Sequence, residues 1–115
     1  MKYDTALANR VREFLAAVPD IDVQEKEMFA VLNFMVNGKT CVCVSGPKLM
    51  LRFDPELQET LAGHRGYETM LMKGKTYKGY CYINPEGFRS KTEFEYLLTL
   101  CLDYNRVSKK VKEKK

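Results

Sequence analysis

Apolar residues recur at three- and four-residue spacing through Tyr3, Leu7, Val11, Phe14, Leu15 and Val18, the signature of one buried helix face. Asp4 can cap this helix, and Pro19 stops it near Val18. From Val23 to Val36 the chain stays rich in apolar residues, but the alternation is impure. Such a stretch is long for one strand, so a break or a bulge is expected near Ala30-Val31. Asn37-Gly38 then joins it to a second apolar run, Lys39–Ser45. A two-residue Asn-Gly loop is a strong hairpin signal, because a type I′ turn needs positive φ at both central residues. That turn predicts Val36 opposite Lys39, Phe34 opposite Cys41 and Leu32 opposite Cys43. Ser45-Gly46-Pro47 marks another turn. Beyond it Lys48–Phe53 alternates, with Leu49, Leu51 and Phe53 on one side and Lys48, Met50 and Arg52 on the other.

Asp54-Pro55-Glu56 opens a short helix with Leu57 and Leu61 inward and Gly63 at its end. Glu68–Met72 and Thr76–Ile83 read as strands with a polar, lysine-containing connection. After the turn at Asn84–Gly87, Ser90 and Glu93 form a capping box. The helix behind it buries Phe94, Leu97, Leu98, Cys101 and Leu102, and is free to run on into the terminal lysines. The predicted order is α-β-β-β-α-β-β-α. It implies an α+β, two-layer sandwich in which helices pack on an antiparallel sheet of about five strands.

The chain has 115 residues, 45% of them apolar and 30% charged, which suits one domain that needs no disulfide or metal staple. We expect that domain over residues 1–107 and a basic tail over 108–115. The tail holds Lys109, Lys110, Lys112, Lys114 and Lys115 with one glutamate, which accounts for the whole net charge of +4. The remainder carries 14 residues of each sign, so any nucleic-acid contact would rest on the tail and not on the folded body. The charged opening is unlike a secretory signal, and no apolar run approaches the ~20 residues of a membrane span. The reading is a cytoplasmic protein.

Candidate chemistry is sparse. Cys41, Cys43, Cys81 and Cys101 form no CxxC pair, and the first two, two apart on a strand, read as buried thiols on one face with Leu32 and Phe34. His64 lies in a loop with no nucleophile or acid near it in sequence. Tyr80 and Tyr82 share a strand face with Lys78 in line, while Cys81 and Ile83 point to the core; such a tyrosine face suits an interface, or stacking on bases. No metalloprotease, serine-hydrolase or phosphate-loop motif occurs. No catalytic, cofactor-binding or metal-binding residue is assigned, and the expectation is a protein that is not an enzyme.

Several segments resemble one family. Met28-Phe29 with Phe34-Met35-Val36-Asn37-Gly38-Lys39, Leu49-Met50-Leu51-Arg52, Met72-Lys73-Gly74 with Lys78-Gly79-Tyr80, and Pro85-Glu86-Gly87 occur in the order found in the N-terminal domain of the TfoX/Sxy family. Tyr3-Asp4 and Val11-Arg12-Glu13 fit as well. Ala30-Val31 replace the Gly-Gly that usually follows Met-Phe. The chain resembles the stand-alone form, without the C-terminal domain of the bacterial competence regulators. The resemblance implies a sheet with helices on one side, like type III secretion chaperones, and a regulatory rather than catalytic role. Two-domain members promote transcription of DNA-uptake genes beside a cyclic-AMP-dependent activator. It marks Met28, Phe29, Asn37, Gly38, Gly79 and Tyr80 as a structural signature. The partners expected are another protein, a regulator, with a homodimer of the chain also open; nucleic acid through the tail is the alternative, and no cofactor is implied.

Overall fold

A computed structural model describes residues 3–108. Helix α1 spans Thr5–Ala16, and the Asp4 carboxylate accepts from the Leu7 amide at 3.0 Å as expected of its cap. Strands β1 (Val23–Met28), β2 (Val31–Val36), β3 (Lys39–Ser45) and β4 (Lys48–Arg52) follow. A 3-10 turn at Pro55–Leu57 leads into α2, Gln58–Ala62. Strands β5 (Tyr67–Met72) and β6 (Lys75–Ile83), a 3-10 turn at Pro85–Gly87 and helix α3 (Lys91–Val107) complete the order. The α+β expectation holds, with a six-stranded antiparallel sheet, one strand more than expected. The extra strand comes from Val23–Val36, which breaks at Phe29-Ala30 and folds back on itself.

Across the sheet the strands run β1-β2-β3-β4-β6-β5. The first four form the predicted meander, extended by one hairpin. Then α2 carries the chain to the far edge, and β6 returns between β4 and β5. Asn37 and Gly38 have φ of 53° and 82°, so both central residues lie where the Asn-Gly turn requires. Lys73-Gly74 repeats the geometry, with φ of 55° and 82°, and closes the β5–β6 hairpin in two residues.

The register of the central hairpin departs from expectation. Val36 faces Lys39 as predicted, but a bulge lies between Phe34 and Met35, so Phe34 faces Val42, Leu32 faces Val44 and Asn33 faces Cys43. Cys41 is the residue left over. Turn chemistry sets the pairing next to Asn37-Gly38. Farther along, burial of Val42 and Val44 beside Phe34 and Leu32 demands the other parity. One inserted residue reconciles the two. The thiols therefore separate. Cys41 stays in the core cluster, while Cys43 turns to Asn33, its Sγ 3.4 Å from Oδ1.

One core unites the layers. Leu7, Ala8, Val11 and Leu15 of α1 and Phe94, Leu97, Leu98, Cys101 and Leu102 of α3 pack with Phe34, Val42, Leu49, Leu51, Cys81 and Ile83 of the sheet. At the start of α3 the Glu93 amide donates to Ser90 Oγ at 3.1 Å, as a capping box requires. The Glu93 carboxylate takes up the Ser90 hydroxyl, 3.2 Å away, where the expected partner was the Ser90 amide. The helix does not run on into the lysines. It ends at Val107, and Ser108 is extended, with ψ of 158°. Lys39 Nζ caps its last turn by donating to the carbonyls of Asn105 at 2.5 Å and Ser108 at 2.9 Å. A cation at this end also opposes the helix dipole. The tail residues Lys109, Lys110, Lys112, Lys114 and Lys115 lie outside the described residues.

Candidate interaction surface

The residues marked by the family resemblance fall in three places. Met28 and Phe29 sit at the β1–β2 tip, Asn37 and Gly38 at the β2–β3 turn, and Gly79 and Tyr80 within β6. Among the described residues Phe29 is the most exposed large apolar side chain, at 94%, and it holds φ of 51°. A bulky side chain in that region is strained. Asn37 is a structural residue: its Oδ1 accepts from the Asp22 amide at 2.9 Å, and its own amide donates to the Asp22 carbonyl at 2.8 Å.

Gly79 and Tyr80 belong to an irregularity in β6. Thr69 faces Cys81, but Leu71 faces Thr76, so the single residue Met70 of β5 spans residues 77–80 of β6. The excursion is anchored from behind. The Gly79 amide donates to Gln58 Oε1 at 2.8 Å, and its carbonyl accepts from the Phe53 amide at 2.9 Å. Gly79 has φ of 86°, and a Cβ there would come within 3.3 Å of both the Phe53 carbonyl and Pro55. Only glycine suits that combination of φ and close approach. Lys78 lines one recess with Tyr77 and Tyr80, and the Tyr77 and Tyr80 rings stack at 4.5 Å and 5°. Burial raises the Tyr80 hydroxyl pKa, and the neighbouring Arg52 guanidinium opposes that rise.

This hairpin carries the main apolar exposure away from Phe29. Leu71 is 61% exposed and Met72 51%, opposite Thr76 and Lys75 of β6. Because β5 is an edge strand, one row of its backbone N–H and C=O groups is also open. The sequence reading missed this surface, although a signal was present: no charge occurs between Glu68 and Lys73. By contrast, the groove of about 600 Å³ between α1 and α3 is already filled along one wall. Arg10 stacks there on Phe94 at 4.0 Å and donates to the Phe88 carbonyl at 3.2 Å.

The chemistry-bearing side chains are held in the framework. His64 is not a free loop residue. Its Nε2 lies 2.8 Å from the Gly87 carbonyl, and its ring stacks on Tyr96. A carbonyl only accepts, so Nε2 carries the proton in this contact. All four cysteines are buried and unpaired, as expected of core thiols. Burial pushes Cys41, Cys43 and Cys81 up to about 12 and Cys101 well above the usual thiol range. Buried thiols raised in this way are overwhelmingly protonated at pH 8, and the thiolate is the reactive form. We therefore expect the native protein to leave an aromatic disulfide reagent unreacted at pH 8. All four thiols should titrate once denaturant is added. A thiol reacting within seconds without denaturant contradicts this. Among the described residues no group of three or more His, Cys, Asp or Glu is placed to hold a metal ion. No helix among them is long and apolar enough to cross a membrane.

No curated protein and no solved structure matches the chain. The family model of the TfoX N-terminal domain matches residues 13–104, from within α1 through all six strands to near the end of α3, and the chain belongs to that family.

Proposed function

We propose that this chain is a non-enzymatic regulatory module of the cytoplasm that acts by binding another protein, as expected of a domain related to the bacterial competence regulators. The observation that carries the reading is the β5–β6 hairpin, an open sheet edge flanked by exposed Leu71 and Met72. Edge strands with apolar flanks are read by partners through strand addition. In support, the lone histidine is tied to a carbonyl and the thiols are buried, so neither is presented as an activated nucleophile or base. The test is retention of a partner by the immobilised full chain in extract of its native host. Leu71→Lys should lose that partner at least tenfold while keeping its melting temperature. Equal retention by wild type and variant, or no partner under any growth condition, removes the proposal.

A second reading, contact with nucleic acid, is favoured by where the tail departs. Ser108 lies against Arg52, whose Nη1 is 3.3 Å from its hydroxyl, and Arg52 lines the same recess as Tyr77 and Tyr80. The sequence carries five lysines beyond Ser108, and the recess offers aromatic rings on which bases can stack. Five phosphate contacts to a single strand predict a log–log salt slope of about −3.5. Changing all five lysines to glutamine should flatten it. Absence of binding at low salt ends this reading.

A further inference from the structure

We propose that β5 is a self-pairing edge, through which two copies of this chain join antiparallel about a two-fold axis into one continuous sheet. The proposal rests on the reading of the β5–β6 hairpin as a binding surface, and names its partner.

The two edges of the sheet are built differently. At β1, Gln24, Glu25, Lys26 and Glu27 are all exposed. Glu25 is also gripped by Arg12 of α1, through Nε at 2.6 Å and Nη2 at 2.8 Å. Charges along an edge and pointing to its inner flank obstruct further strand addition. At β5 the stretch Thr69–Met72 carries no charge and no proline. Glu68, the strand's one acid, is occupied by Lys48 at 2.8 Å and by Asn84 at 3.1 Å.

That asymmetry selects the partner. Head-to-tail growth would need β5 of one copy to meet β1 of the next, which the β1 charges oppose. The open edge that a second copy offers is β5 itself. A strand pairing with its own copy makes an isologous contact, which closes at two.

The side chains agree with such closure. In an antiparallel pair, directly opposite residues lie on one face. A two-fold axis through β5 therefore sets residues of like parity together. With the axis at Leu71, Leu71 meets its own counterpart on the flank that Tyr67 shares with the core, and Met70 meets Met72 on the outer flank. Leu71 is 61% exposed among the described residues: α2 has five residues, and Tyr67 is the one β5 residue packed on the core cluster. Six residues of edge form a small interface, so the dimer belongs to the weak class, with a Kd of order 10 µM.

Sedimentation velocity of the full chain, from about 1 µM to about 500 µM, brackets that range. The weight-average mass should rise from 13.3 kDa toward twice that value. Leu71→Lys should remain monomeric throughout, and Met72→Glu should do the same from the other flank, which guards against one variant misfolding. Phe29→Ser, at the opposite end of the sheet, should dimerise as the wild type does. A wild type monomeric at every concentration overturns the proposal. So does loss of the dimer in Phe29→Ser, or its persistence in both β5 variants. A monomeric wild type whose Leu71→Lys variant still loses a different protein ends self-pairing and leaves the protein-binding reading intact.

Discussion

Gly87→Ala is expected to destabilise the protein by about 3 kcal/mol, lowering the melting temperature by roughly 10 °C. A Cβ on Gly87 would lie 2.2 Å from the Arg65 carbonyl oxygen and 2.5 Å from Ile83 Cγ2. The first neighbour is backbone and the second is fully buried, so neither can swing aside. The loop that would have to move is pinned. The Asn84 amide donates to the Gly66 carbonyl at 2.8 Å, and His64 Nε2 donates to the Gly87 carbonyl at 2.8 Å. Gly87 is needed for space and not for a left-handed φ. Gly63→Ala supplies the control: its nearest neighbour is 3.6 Å away, and the change should stay within about 0.5 kcal/mol. Thermal melts of both variants check the pair. Equal stability of the two would mean that the turn at Pro85–Gly87 relaxes freely.

Phe34→Ala should cost about 3–5 kcal/mol, the range for truncating a buried phenylalanine. Phe34 has no exposed surface and sits at the bulge, facing Val42. Its loss removes packing contacts and also the reason for the shifted register. The Asn37-Gly38 turn alone favours pairing without the inserted residue. Against a typical total of 5–15 kcal/mol, the loss should move the urea midpoint far toward zero. A midpoint shift equivalent to less than about 1 kcal/mol would show that the site collapses around the truncation.

The local features were readable because each depends on a few neighbouring residues. Asp4 and Ser90 cap helices through their own side chains, and Asn37-Gly38 turns because of its own φ preferences. The first departures came where two local rules met. The break expected near Ala30-Val31 occurs one residue earlier, at Phe29-Ala30, and creates a sixth strand. Turn chemistry and burial disagreed by one residue between β2 and β3, which moved Cys43 out of the predicted row. Loop residues were least legible. His64 found Gly87, 23 positions away, and Lys39 found the end of α3, 66 positions away. Neither contact leaves a trace in spacing along the chain.

The amino-acid sequence by itself determined the helices and their caps, most strands, the buried faces and the family, because periodicity and turn chemistry act within a few residues. Only the tertiary structure decided which strands became edges. The crossover through α2 places β5 outermost and leaves β1 at the other side. An uncharged stretch such as Thr69–Met72 is unremarkable inside a sheet and an open template at its border. Which of the two it is depends on strand order, a long-range property that no local pattern carries.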